Sequence, residues 1–198
     1  MNYPAMPLGS RGPLSYYTSG TTIFRQGDRT GPLYLVKYGC VLLSRVSQSG
    51  ARQVIGFWLP GEIFGWEVYR EHRYCAESAG ESRVQAIEPS HAPASLYTQL
   101  VPSLALLRDQ LLILSRPTAE ARVAAFLHNL LVRQGGATRI DLPMHRFDIA
   151  EYLGISPETV SRVLHRLKKA GMIDMPNLHG VVVLNFEALK VSAKLETD

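Results

Sequence analysis

One segment, DIAEYLGISPETVSRVLHRLKKAGMI from Asp148 to Ile173, constrains the fold more tightly than any other part of this chain. It offers a small residue, Ala150, where two helices would cross, and a glycine, Gly154, where the chain would turn between them. Ile149, Leu153, Ile155, Val160, Val163, Leu164 and Leu167 have the three-and-four spacing of two helical faces that share one core. Ser156 followed by Pro157 reads as an N-cap and a first helical residue, so the second helix is expected to start there and run to about Ala170. The pattern is that of a helix-turn-helix.

The opposite face of the second helix carries Glu158, Ser161, Arg162, His165 and Lys169, close to one helical stripe. A solvated charged face is the bland alternative, but cap, turn and crossing residue would then have to coincide by accident. As a stripe entering the major groove, it has suitable chemistry. Arg162 brings a planar fork that matches both acceptors of a guanine edge, Glu158 can accept from a cytosine amino group, and Ser161 can reach a base or a methyl. Arg166, Lys168, Lys169, His145, Arg146 and the hydroxyls of Ser156 and Thr159 suit phosphates, which place a protein on a duplex without reading it. Met172 to Met175 and Val181 to Leu184 flank Pro176-Asn177-Leu178-His179-Gly180, a β-hairpin wing whose His179 would touch the backbone. Residues 117–198 are therefore expected to form a winged helix-turn-helix.

Upstream the period differs. Leu100, Leu104, Leu107, Leu111 and Leu114 are spaced four, three, four, three, the repeat of a two-helix seam, which predicts a dimerisation helix over 95–116. An amphipathic helix packed on its own domain is the alternative. Pro102 is expected in the first turn or at a kink near the start, while Leu106, Leu112 and Ile113 lie off the seam and would cover the N-terminal domain. Ser115-Arg116-Pro117-Thr118 interrupts the pattern and reads as a hinge. A helix from Ala119 to Arg133, a break at Gly135-Gly136 and a strand from Arg139 to Leu142 should follow.

Residues 1–94 read as short strands: Thr21 to Phe24, Leu33 to Lys37, Cys40 to Val46, Gln53 to Phe57 and Ser82 to Ile87. Turn signals at Gly27-Asp28, Gly31-Pro32, Gly39, Ser49-Gly50 and Pro60-Gly61 separate them, which suits an antiparallel β-barrel or jelly roll. The class is α+β. Trp66, Trp58, Phe57 and Phe64 gather around Pro60-Gly61 and are expected in the core rather than around a ligand. The first dozen residues read as a flexible leader.

With 198 residues and 46% hydrophobic content the chain can build two small cores, and its net charge of +4 with a pI near 9.2 suits a polyanionic partner. Cys40 and Cys75 make no disulfide framework, no export leader is visible and no apolar run reaches the roughly 20 residues of a bilayer span, so a cytoplasmic protein without membrane contact is expected. His72 and Cys75, three apart, are too few for a metal centre. His72 is expected on a surface loop and Cys75 as a small buried hydrophobe. No catalytic chemistry is legible: the barrel lacks the His-x-His cluster of metal-dependent oxygenases, Ser44, Ser47 and Ser49 lack base and acid partners, and no P-loop exists.

From about Thr21 onward the chain resembles the CRP/FNR superfamily of transcription regulators, within its FixK-like branch. ETVSR at Glu158 to Arg162 is similar to the recognition signature of that group, and RVAAFLHNLL, LPMHRFDIAEYLG, LPGEIFGWE and EHRYCAESA are similar to its other segments. The resemblance implies a cyclic-nucleotide-binding-like β domain and a homodimer on an inverted repeat of TTGAT-type half-sites. It places base reading on Glu158, Ser161 and Arg162. Double-stranded DNA, a second copy of the chain and RNA polymerase are the implied partners, with no contact surface for the polymerase legible. The chain also departs from the pattern. Where cyclic-AMP receptors carry an Arg-Ser pair, Tyr74 and Cys75 stand here, although Glu67 and the nearby Arg73 remain. The N-terminal cysteines of cluster-bearing relatives are missing, so no cofactor is expected. His145 and Phe147 replace a small hydroxyl and an amide that usually meet phosphates. An effector-gated regulator whose barrel binds a cyclic nucleotide, haem or another small molecule is the alternative function.

Overall fold

The computed structural model describes residues 12–87, 95–136 and 138–195, with 95–100 described by backbone alone. The leader expected over the first dozen residues falls almost entirely outside them. The chain divides into two compact units, Tyr3–Leu107 and Arg108–Asp198.

In the first unit, strands β1 (Leu14–Tyr17), β2 (Thr22–Phe24), β3 (Leu33–Tyr38), β4 (Val41–Val46), β5 (Arg52–Trp58), β6 (Ile63–Phe64), β7 (Cys75–Ser78) and β8 (Ser82–Ile87) pair antiparallel. They form two four-stranded sheets, β1-β8-β3-β6 and β2-β7-β4-β5. Because each sheet keeps its own edges, the jelly roll holds and a closed barrel does not. Alternate side chains from both sheets meet inside, where Phe24, Val36, Val41, Leu43, Phe64, Ala76 and Val84 form one apolar cluster. Leu35, Ile63 and Ile87 form a second.

The five strands read from the sequence are present, with ends moved by a residue or so. Three others carry little signal. β6 is two residues long, β7 turns the small Ala76 and Ser78 inward, and β1 exposes Leu14 and Tyr16 while half-burying Ser15 and Tyr17, the reverse of an apolar-in pattern. Phe57 and Phe64 are buried, and Trp58 and Trp66 pack against the two clusters, as expected of core residues. His72 overturns its surface assignment: only 2% exposed, its ring stacks on Phe24 at 3.7 Å, and burial pushes its pKa down. The ring packs against Phe24 as an aromatic core residue does, with its Nδ1 buried and without a hydrogen-bond partner among the described residues, a placement that spacing does not reveal. Cys75 is only half-buried and its sulfur accepts the Gln26 N–H. Among the described residues no group of three or more potential ligands is placed to hold a metal.

Helix α1 (Ser95–Leu114) contains Pro102 inside it, beyond its first turn. Leu104, Leu107 and Leu111 are exposed, as is Val101, and Leu114 is half-buried. Leu112, expected to cover the β domain, is exposed; Ile113 is buried and belongs to the second unit. The side chain of Leu100 lies outside the described residues. No helix among the described residues is long and apolar enough to cross a membrane.

The second unit continues with α2 (Ala119–Arg133), β9 (Arg139–Asp141), α3 (Arg146–Leu153), α4 (Pro157–Lys169), β10 (Ile173–Asp174), β11 (Gly180–Val183) and α5 (Phe186–Ser192). Thr118 caps α2, its hydroxyl accepting the Ala121 N–H at 3.1 Å. The wing is a three-stranded sheet, β10-β11-β9, rather than a lone hairpin, so β11 is buried between two neighbours. α5, capped by Asn185 and anchored by the buried Leu189, was not anticipated from the sequence.

Gly39 holds a φ of +82°, and a Cβ there would overlap the Glu81 carbonyl. Gly39→Ala should therefore destabilise the jelly roll by about 1–3 kcal/mol, read as an earlier thermal transition of that unit while the second unit keeps its own.

Candidate nucleic-acid interface

The interface is assembled by local rules. α3 stops because Gly154 adopts the left-handed conformation, φ 63°, returning its N–H to the Ala150 carbonyl. Ser156 then restarts the chain as a helix: its hydroxyl accepts the Thr159 N–H at 3.2 Å and Pro157 occupies the first helical position. Val160, Val163, Leu164 and Leu167 face inward and are buried, opposite buried Ile149, Ala150 and Leu153 of α3. With that face committed to the core, Glu158, Ser161, Arg162, His165 and Lys169 are left exposed together along α4.

The stripe is also electrostatically prepared. The Glu158 carboxyl lies below the usual carboxylate range because its own backbone N–H, the Ser156 hydroxyl and the Arg162 charge all favour the ionised form. It is a committed acceptor at neutral pH. Arg162 donates from Nη2 to the Thr159 hydroxyl at 3.0 Å, which steadies the long side chain without consuming its other donors.

The residues assigned to phosphates separate into groups. Lys169 is exposed and makes no ion pair among the described residues. Arg166 is paired with Glu120 of α2 at 2.8 Å, and Lys168 with Asp174 at 2.8 Å. Both pairs are largely solvent-facing, so each is weak enough to yield to a phosphate. Arg146 is half-buried and donates to the Met175 sulfur, while His145 and His179 are exposed with their rings edge-on at 6.0 Å. Ser156 and Thr159 hydroxyls lie 3.0 Å apart at the start of α4. Beside them a cavity of about 540 Å³ is lined by Glu120, Thr159, Arg162, Arg166, Ser192 and Lys194, among others.

Two contributors were not singled out from the sequence. Glu120 ties α2 to α4, a contact between residues far apart in the chain. Asn177 shapes the wing, its side-chain oxygen accepting the N–H groups of His179 and Gly180 at 2.9 and 2.6 Å. An asparagine three residues before a glycine was a readable turn signal.

A jelly roll followed by a winged helix-turn-helix with a polar, exposed second helix defines a DNA-binding regulator. The Crp-like helix-turn-helix domain model matches residues 121–191 and the cyclic nucleotide-binding domain model matches 14–92. The chain belongs to the CRP/FNR family of DNA-binding transcription regulators, which are not enzymes. Among its relatives, the nitrogen fixation regulation protein FixK of Rhizobium meliloti is 36% identical over 189 residues, covering 93% of this chain and 90% of that protein. FixK of Azorhizobium caulinodans is 31% identical, covering 94% and 82%. The solved structure of FixK2 from Bradyrhizobium japonicum superposes with a TM-score of 0.83 at 29% identity, covering 94% of this chain and 98% of that one.

Removing the cap should loosen the interface at its root. Ser156→Ala is expected to lower the stability of the second unit by about 1 kcal/mol, measured by denaturant unfolding without DNA; no change would show that α4 does not depend on this hydroxyl.

Proposed function

We propose that the chain works as a cytoplasmic homodimer that reads an inverted repeat of TTGAT-type half-sites. Glu158, Ser161 and Arg162 touch base edges, while His145, Arg146, Ser156, Thr159, Arg166, Lys168, Lys169 and His179 meet the sugar-phosphate backbone. The observation that carries this reading is the exposure of Glu158, Ser161 and Arg162 on one side of a helix whose other side is locked in the core. The seam of Leu100, Leu104, Leu107, Leu111 and Leu114 would join two copies and place their α4 helices in successive major grooves about 34 Å apart. Support comes from Leu104, Leu107 and Leu111, which are 63%, 48% and 69% exposed in a single copy, a cost that burial in a partner would remove. RNA polymerase is the further partner proposed for an activator of this family.

The β domain acts without a small-molecule effector in this reading. Glu67 is the carboxylate left to accept a ribose hydroxyl, yet it accepts the backbone N–H groups of Val68, Tyr69 and Arg73 at 3.0, 3.4 and 3.1 Å. Tyr74, with its pKa pushed up to about 12 by burial, donates to the Trp66 carbonyl at 2.7 Å. Glu67 and Tyr74 are thereby engaged within the segment rather than open to a nucleotide.

Selection of bound sequences from a random duplex library, with and without cyclic nucleotides or haem, tests the whole reading. An inverted repeat enriched without additive is expected; enrichment only in the presence of an effector would overturn the effector-free part. Arg162→Ala should cost about 1–3 kcal/mol and relax preference at one base pair per half-site, whereas Lys169→Ala should weaken all sequences alike and flatten the salt dependence. Equal effects of both on specific and random DNA would refute the division of roles. Changing Leu107 and Leu111 together to polar residues should give monomers in sedimentation with poor operator binding, and persistent dimers would refute the seam.

A further inference from the structure

Two arginines outside the base-reading stripe and the phosphate-facing set hold three carbonyls where α1 passes into the helix-turn-helix. Arg122, half-buried in the first turn of α2, donates from Nε to the Arg116 carbonyl at 3.0 Å and from Nη1 to the Leu153 carbonyl at 3.2 Å. Leu153 ends α3, so its carbonyl has no helical partner and needs one from elsewhere. Arg116 in turn donates from Nη1 to the Lys194 carbonyl at 2.6 Å, just past α5. Lys194 is the non-glycine residue that holds a positive φ, 51°, among those described. A left-handed lysine is mildly strained and persists where the surroundings hold it, as the bond from Arg116 does here.

A guanidinium is planar and rigid, so splitting Nε and Nη1 between two carbonyls fixes the distance between them. One plate thus joins the hinge carbonyl to the turn that launches α4, and the side chain of the same hinge residue grips the end of α5. The hinge is continuous with α1, since the N–H groups of Ser115 and Arg116 still bond to Leu111 and Ile113.

We propose that Arg122, with Arg116, is a positioning clasp: by bonding the Arg116 and Leu153 carbonyls together it sets the direction of α4 relative to the end of α1, and so the half-site spacing a dimer accepts. This rests on the dimeric reading above. Neither residue touches DNA in this role. They act through the geometry of α4, and their effect falls on spacing rather than on base identity.

The test uses the full-length protein and duplexes in which two fixed inverted half-sites are separated by spacers of varied length. Wild type should prefer one spacing over those a base pair longer or shorter by about tenfold or more, because a base pair shifts and rotates the second half-site. Folded Arg122→Gln should show that preference reduced to roughly threefold or less, with unchanged base preferences inside each half-site. Arg122→Lys, which keeps the charge but not the two-pronged reach, should behave like Gln; if Lys restores the preference, Arg122 acts as a charge and the clasp is refuted. A merely structural role would lower binding to every spacing in proportion. Wild-type spacing preference in folded Arg122→Gln overturns the clasp alone, whereas absence of any preference in wild type overturns the dimer and the clasp with it. Should the Arg122 variants fail to fold, Arg116→Gln, which keeps the bond to the turn but releases α5, is expected to broaden the preference too, and an unchanged preference there overturns the proposal.

Discussion

The burial of one face of α4 is the constraint on which the functional surface depends. Val160, Val163, Leu164 and Leu167 are each 4% exposed or less, and burying side chains of this kind stabilises by about 1.5–3 kcal/mol apiece. Rotating the helix to expose them would lose much of a typical domain's stability. The helix therefore has a single seating, and the polar stripe faces outward because nothing else can. The outward stripe is in this sense a consequence of core packing: Glu158, Ser161 and Arg162 occupy their exposed positions because their neighbours cannot leave theirs.

Around this seating lies a layer of polar bonds that fixes direction rather than supplying stability. Glu120 reaches across to Arg166, Arg122 bridges the hinge and the turn, Arg116 grips the end of α5, and Asn177 shapes the wing. Exposed or half-exposed bonds of this type contribute modestly to folding. Their geometric effect is larger, because a base contact is lost when a side chain moves by about an ångström from hydrogen-bonding distance.

The jelly roll solves a different problem. Two sheets turn Phe24, Phe64, Tyr34 and Tyr74 toward one another, with ring centroids between 5.2 and 6.2 Å where they are neighbours, and His72 joins them by stacking. The segment after β6 closes on itself through Glu67 and Tyr74. The fold is the one shared with cyclic nucleotide-binding domains, and in this chain Glu67 and Tyr74 bond within their own segment.

The helix-turn-helix was legible because its determinants are contiguous: a cap at Ser156, a left-handed turn at Gly154 and apolar spacings that act within one or two turns. The winged region, the long helix and five of the strands were legible for the same reason, since period and punctuation are local properties. Strands β1, β6 and β7 were hidden, as short or small-residue strands gain their stability from neighbours distant in sequence. The choice of two open sheets over a closed barrel, the burial of His72, the engagement of Arg166 by Glu120 and the reach of Arg122 to Leu153 were likewise decided only in three dimensions. Each depends on which chemically suitable partner the chain brings near, and a long side chain such as arginine has many partners open to it until the backbone is placed.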